Sequence, residues 1–182
     1  MSPKNNLLDI HIIGDQVLRK KAEEVKSLDN VLKEYIDKLI KTMYEKDGIG
    51  LAAPQTGRSL RIFVVDPYWT LEGKEKNPKV FINPKFISFE GEGEGEEGCL
   101  SVPDIYEKVM RAKKVKIEAQ DENFEKFTLE AEGFFARVIQ HEYDHLEGIL
   151  FIDKIPKLRK IFLKKKLKEL EKKANANGVN IK

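Results

Sequence analysis

At 182 residues, 41% hydrophobic and 35% charged, the chain is long enough to bury one sizeable core without a second domain and lies far from disordered or fibrous compositions. Its net charge of +2 conceals an asymmetry, because residues 154–182 hold eleven Lys or Arg against Glu169 and Glu171, a local +9 that leaves −7 on the remainder. The opening MSPKNNLLDIHIIGDQ has no signal-peptide pattern and nowhere do about 18 apolar residues run together, so secretion and membrane spanning are not expected and a cytoplasmic location follows by default. The basic tail suits either an anionic partner such as RNA or a plain solvated helix face. One cysteine cannot close an intramolecular disulfide, which leaves Cys99 as a buried small hydrophobe, a metal ligand, a nucleophile or an incidental residue.

In chain order, Leu28, Val31, Leu32, Tyr35, Ile36, Leu39, Ile40, Met43 and Tyr44 recur at helical spacing and predict an amphipathic helix that Gly48 stops. The segment GIGLAAPQTGRS reads as a Gly-rich loop. Short runs of β-branched and aromatic residues, RIFVVD, KVFINP, KFISFEG, KVKIEAQ and FTLEAEG, are divided by Gly, Pro or Asn and predict antiparallel strands. Among them EGEGEGEEGCLS (90–101) has the composition of a flexible acidic linker that ends in the cysteine. In FFARVIQHEYDHLEG, Phe134, Phe135, Val138, Ile139 and Leu146 share an apolar side, predicting a second helix ended by Gly148. A third helix starts near Pro156 and runs through KLRKIFLKKKLKELEKKANANG to its Asn and Gly cluster. There is no internal repeat and no regular βαβ alternation, so the class is α+β, in one domain over 1–182 with 156–182 as a basic helix and tail.

The sharpest chemical signal is HEYDH, residues 141–145. Residues four apart on a helix project from one face, so His141 and His145 can both offer imidazole nitrogen to one metal ion. Glu142 is rotated by about 100° from His141 and can reach a water on that ion, which suits a general base beside a Lewis acid. Two histidines leave an open catalytic site one protein ligand short. The candidates for the third are the thiolate of Cys99, a soft donor for zinc or ferrous iron, and the downstream carboxylates Glu147, Glu169 and Glu171. No histidine lies C-terminal to His145, which excludes the longer three-histidine pattern of the metzincins.

The sequence resembles the peptide deformylases in three separated motifs: GIGLAAPQ (48–55), EGCLS (97–101) and QHEYDHLEG (140–148). The similarity extends to GDQVLRKKAEEV near the N-terminus and GFFARVIQHE before the third motif, with Gln16, where a proline is frequent, as a departure far from the chemistry. The resemblance implies antiparallel and mixed β-sheets around a central helix bearing HEYDH, with one helix near each end of the chain. It implies removal of the formyl group from the N-terminal formyl-methionine of newly synthesised polypeptides. The metal would be held by Cys99, His141 and His145 and would be Fe2+ in the cell, with Zn2+, Ni2+ or Co2+ able to occupy the site. Glu142 would take a proton from the attacking water, whose pKa the ion lowers to about 7, and pass it to the departing amine.

By the same resemblance, the Gln55 side chain and the Leu100 backbone N–H flank the developing oxyanion, where one donor in a dry site is worth about 3 to 4 kcal/mol. Gly48 and Gly50 would let the backbone approach a peptide bound as an added strand. Ile49, Val138 and Phe134 would line an apolar pocket for methionine, and Glu97, beside the site, would need a charged partner, Arg111 by family spacing. On that reading the glycines and alternating glutamates of 90–101 belong to a strand and turn approaching the site, with 97–101 its functional end and a mobile acidic rim as the alternative for 90–96. A zinc endopeptidase would share HExxH but would need neither Cys99 nor Gln55 at these spacings. A binding protein acting through its basic tail would not need the ligand set at all, though the tail of a deformylase can also contact the ribosome from which its substrate emerges.

Overall fold

The computed structural model describes residues 7–177. Helix α1 (Asn30–Glu45) begins where the Asp29 carboxylate accepts the Leu32 N–H at 2.8 Å, satisfying one of the free donors of the first turn. Leu32, Tyr35, Ile36, Leu39 and Met43 form its buried stripe, whereas Val31 falls off that stripe and is 65% exposed. The helix does not stop on Gly48 in the left-handed region, as the sequence suggests; Asp47 takes that conformation, with φ 54°. The N–H of Asp47 then donates to Tyr44 and that of Gly48 to Met43, closing the last turn. Helix α2 (Gly133–Leu146) ends the same way with Gly148 at φ 72°, as its sequence predicts. There Gly148 N–H donates to His145 and Ile149 N–H to Asp144.

A five-stranded sheet has the order β1 (Gly50–Ala52), β2 (Ile62–Val65), β3 (Lys79–Glu90), β6 (Lys114–Gln120) and β7 (Lys126–Glu132). Every pairing within it is antiparallel, and an isolated bridge between Glu23 and Leu60 is parallel. Part of the segment GIGLAAPQTGRS, expected to be loop, is thus strand. KVFINP and KFISFEG, expected to be two strands, form one bent strand: Asn83 adopts φ 50° and the register slips between Ile82 and Lys85, which accommodates Pro84 without a lost ladder donor.

Strand β2 shows why its sequence is continuously apolar. Ile62 and Val64 face α1 with Leu39 and Met43, while Phe63 and Val65 face α2 with Ile139 and Leu146, so both faces of the strand are buried. The result is a helix, sheet, helix sandwich in which α2 is buried along most of its length and exposed at its first turn.

The acidic segment, a linker by composition, is the strand expected to approach the site, and the strand takes in most of the stretch set apart as a rim. Residues 93–99 form β4 (Gly93–Cys99), paired antiparallel with β5 (Val102–Arg111) in a separate hairpin. The sequence gives no sign of β5, because its inward positions Val102, Ile105, Glu107, Val109 and Arg111 mix apolar with charged residues and hide the alternation. Those charges are matched only by distant residues: Glu107 accepts two hydrogen bonds from Arg159, at 2.7 and 3.0 Å.

Arg159 belongs to α3 (Lys157–Asn177), the basic helix, which is docked rather than free. Leu170 and Ala174 are buried, Leu170 packs with Val102, Ile105 and Val109, and a Cβ at Gly14 would lie 2.7 Å from the Glu171 Cα. The Asn and Gly cluster expected to end this helix reaches residue 178, and 178–182 lie outside the described residues. No described helix is long and apolar enough to cross a membrane.

Because Leu170 closes the third part of the core, Leu170→Ala is expected to cost about 2–3 kcal/mol, read as a lower urea midpoint with an unchanged slope. A change within about 0.5 kcal/mol, the range of ordinary surface substitutions, would mean that the helix contributes nothing to the core.

Candidate active site

Helix α2 presents His141 and His145 on one face, their rings 5.1 Å apart between centroids. Strand β4 delivers Cys99 to that face, with a bulge between Glu97 and Cys99 turning the chain toward it. The Cys99 Sγ lies 3.4 Å from His145 Nε2, and one donor atom from each of Cys99, His141 and His145 falls within 4.8 Å of the others. The rival carboxylates do not approach: Glu147 pairs with Arg61 at 2.7 Å and Lys21 at 3.0 Å.

The histidine tautomer follows from its partner. His141 Nδ1 is 2.9 Å from Glu97 Oε2, and an ionised carboxylate can only accept, so Nδ1 carries a proton and Nε2 is the nitrogen left to offer a lone pair to an ion. Glu97 is ionised because, although burial pushes it up, hydrogen bonds from Arg111 and His141 outweigh that and hold it well below the usual carboxylate range. Arg111 grips it with two bonds of 2.9 Å, and Arg137 adds a third at 2.8 Å. Arg111 also donates to Asp144 at 2.5 Å, and Asp144 takes Lys154 at 2.9 Å, so buried charges alternate in sign along the chain of contacts. Glu97, expected beside the substrate, thus spends its oxygens on protein donors.

Burial raises Glu142 to about 7, with His141 opposing and Glu97 adding to the rise. Among the described residues, its buried Oε2 and the buried His145 Nδ1 have no hydrogen-bond partner. Burial pushes His145 down toward the neutral imidazole that can donate a lone pair. A thiol, two imidazole nitrogens and a carboxylate oxygen with no partner form a donor set that fits one divalent ion and a water beside it.

The first motif supplies the opposite wall. Gln55 is 2% exposed; its Oε1 accepts the Ala52 N–H at 2.9 Å, which fixes the amide and turns Nε2 toward Ser101 Oγ at 3.2 Å and Cys99 Sγ at 3.4 Å. Gly50 has a local reason to be glycine that the sequence did not reveal: a Cβ there would lie 2.5 Å from Glu142 Oε1. The Trp69 indole, in the connection from β2 to β3, donates to the Gly48 carbonyl at 2.9 Å and meets Tyr44 edge-on at 5.2 Å, tying that connection to the wall.

These groups border a cavity of about 580 Å³, within the range of small-ligand sites. Ile49, Gly50, Gln55, Glu97, Cys99, Leu100, Phe134, Val138, His141 and Glu142 all line it, while His145 is buried behind them at 1% exposure. Phe134 does not join the apolar side of α2 as its spacing suggests; it is 47% exposed at the rim, with Tyr68 at 6.3 Å between ring centroids. Sequence reasoning missed Ser101, Arg137 and Asp144. For Arg137 a signal existed, since it stands four residues before His141 on the same helix face.

A family model of polypeptide deformylases matches residues 7–161. The peptide deformylase of Pseudothermotoga lettingae is 49% identical over 162 residues, 88% of this chain and 90% of that one. Peptide deformylase 1 of Clostridium perfringens is 51% identical over 139 residues, 76% of this chain and 91% of that one. Among solved structures, peptide deformylase 1B of Arabidopsis thaliana superimposes with a TM-score of 0.87 at 37% identity, covering 95% of this chain and 96% of its own. The peptide deformylase of Thermus thermophilus gives 0.84 at 42% identity, covering 92% and 99%. With fold, donor set and three motifs in agreement, the chain belongs to the polypeptide deformylases, metal-dependent hydrolases that remove N-terminal formyl groups.

Proposed function

We propose that this chain hydrolyses the formyl amide of N-terminal formyl-methionine on nascent polypeptides, with Cys99, His141 and His145 holding one divalent ion and Glu142 moving the proton. The observation that carries this reading is the buried, unpartnered Glu142 Oε2 beside three converging donor atoms at the edge of the cavity. When bound, the ion supplies Lewis acidity, lowering the pKa of water and polarising the carbonyl. Glu142 accepts a proton from the water that attacks the formyl carbon and delivers it to the amine nitrogen as the C–N bond breaks, giving formate and a free amine.

The Gln55 amide, fixed by Ala52, and the Leu100 backbone N–H stabilise the oxyanion. Glu97 acts through His141 rather than on the substrate. Ile49, Val138 and Phe134 receive the methionine side chain, and the backbone at Gly50 pairs with the peptide. Residues 1–182 work as one catalytic domain in the cytoplasm. The thiolate and two imidazoles suit ferrous iron as the resident ion, with Zn2+, Ni2+ or Co2+ as substitutes. The exposed Leu158, Ile161 and Phe162, flanked by the exposed Lys157, Lys164 and Lys165, support a ribosome contact through the basic helix, residues 156–182.

Glu142→Gln keeps the shape and removes the base. It is expected to retain the metal and lose about 10²–10⁴-fold in kcat on a formyl-Met peptide, so full activity in a metal-loaded variant would sink the proposed mechanism. Elemental analysis of anaerobically purified protein is expected to find near-stoichiometric iron. Zinc alone, with the full rate and no loss in air, would overturn the assignment of iron. Because α3 is docked into the core, its surface is tested by substitution rather than deletion. Lys164→Glu with Lys165→Glu should weaken salt-sensitive co-sedimentation with ribosomes by about tenfold or more while leaving turnover of a short peptide unchanged; equal ribosome binding would remove the partner from the account.

A further inference from the structure

The ligands come from two elements that share no strand pairing: Cys99 from the β4–β5 hairpin and the histidines from α2. We propose that Arg137 is the positioning residue that fastens them together and thereby sets the geometry of the metal centre; the proposal rests on the ligand set Cys99, His141 and His145.

Arg137 stands one turn before His141 on α2 and reaches across to the hairpin with both Nη1 and Nη2. Nη2 donates to the Gly93 carbonyl at 2.7 Å, and Nη1 to the Val109 carbonyl at 2.8 Å, to Glu97 Oε1 at 2.8 Å and, more weakly, to the Gly95 carbonyl at 3.4 Å. One side chain therefore holds the backbone of both hairpin strands and also the carboxylate that accepts from His141 Nδ1. A planar fork with five fixed donors can do this, whereas an ammonium cannot reach the same acceptors together.

The alternating glycines of EGEGEGEEG acquire a reason from this contact. A Cβ on Gly95 would lie 2.7 Å from Arg137 Nε and 2.8 Å from its Cζ. Long side chains usually yield to such an approach, but here the guanidinium is pinned by its acceptors and cannot move without releasing them. Gly95 and Arg137 thus form one device: the strand gives up a side chain so that the helix can grip its backbone. Arg111, on β5, grips Glu97 of the same hairpin and reaches α2 only through the Asp144 side chain, whereas Arg137 crosses from the histidine helix to the hairpin backbone of both strands.

The test measures the centre itself, using Co2+ as the probe. Arg137→Ala, Arg137→Lys, Gly95→Ala and the double variant Gly95→Ala/Arg137→Ala are compared with the unsubstituted chain for Co2+ affinity, by chelator competition, and for the visible and thiolate-to-cobalt absorption bands. Arg137→Ala is expected to weaken Co2+ binding about 10–100-fold, the usual scale for groups that orient metal ligands, and to alter the visible bands. Gly95→Ala should shift both in the same direction, and the double variant should be no worse than the more damaged single variant, since both substitutions break one contact. Arg137→Lys, which keeps the charge without the fork, should not restore the spectrum. If Arg137→Ala fails to fold, Gly95→Ala and Arg137→Lys carry the same readings. A lowered melting temperature with Co2+ affinity within about twofold and an unchanged spectrum would make Arg137 a stabilising residue only and overturn the proposal. Failure of the unsubstituted chain to show a thiolate-to-cobalt band would instead overturn the ligand set on which it rests.

Discussion

A carboxylate removed from water must be matched charge for charge, and the site is arranged around one such group. Glu97 is buried on β4, and its partners arrive from elsewhere: Arg111 from β5, Arg137 and His141 from α2. Leaving such a group with a missing partner costs about 3–5 kcal/mol, so the hairpin has one docking position on the helix in which the charges close. The network need not add net stability over an apolar core of the same volume. What it provides is registry, because the residue that fixes the hairpin also fixes the tautomer and the ring plane of His141.

Close backbone approach is the second recurring device. On β4 the glycines admit neighbouring side chains: Gly95 the Arg137 guanidinium and Gly98 the Tyr106 ring, which a Cβ would meet at 2.6 Å. At Gly50 the same economy serves Glu142, whose carboxylate packs directly on the strand backbone. The expectation that Gly50 exists to admit a peptide is therefore incomplete, since the glycine is already required by the carboxylate on the helix behind it.

What could be read from the sequence was whatever is local. HEYDH declares itself because helical spacing alone puts His141 and His145 on one face, and the stripe from Leu32 to Met43 announces α1 in the same way. Gln55 and Cys99 were found through motifs rather than periodicity. What escaped was whatever depends on a distant partner. Strand β5 was invisible because Glu107 and Arg111 occupy inward positions that only Arg159, Glu97 and Asp144 make tolerable. Arg137 passed unremarked in the sequence, and the acidic segment had the composition of a linker, for one shared reason: each is explained by the other. The end of α1 was misplaced by one residue because Asp47, rather than the glycine beside it, takes the left-handed turn.

One contact in the wall of the cavity also makes the molecule its own optical reporter. Trp69 is the only tryptophan in the chain, and its indole N–H donates to the carbonyl of Gly48, a residue that lines the cavity. With Tyr44 edge-on and Lys76 5.3 Å from the ring centroid, the indole sits in a polar, strongly oriented field. Indole emission responds to hydrogen bonding and to nearby charge, so any displacement of Gly48 as the cavity fills registers in the intrinsic fluorescence of the unlabelled protein. No other tryptophan contributes background to that signal.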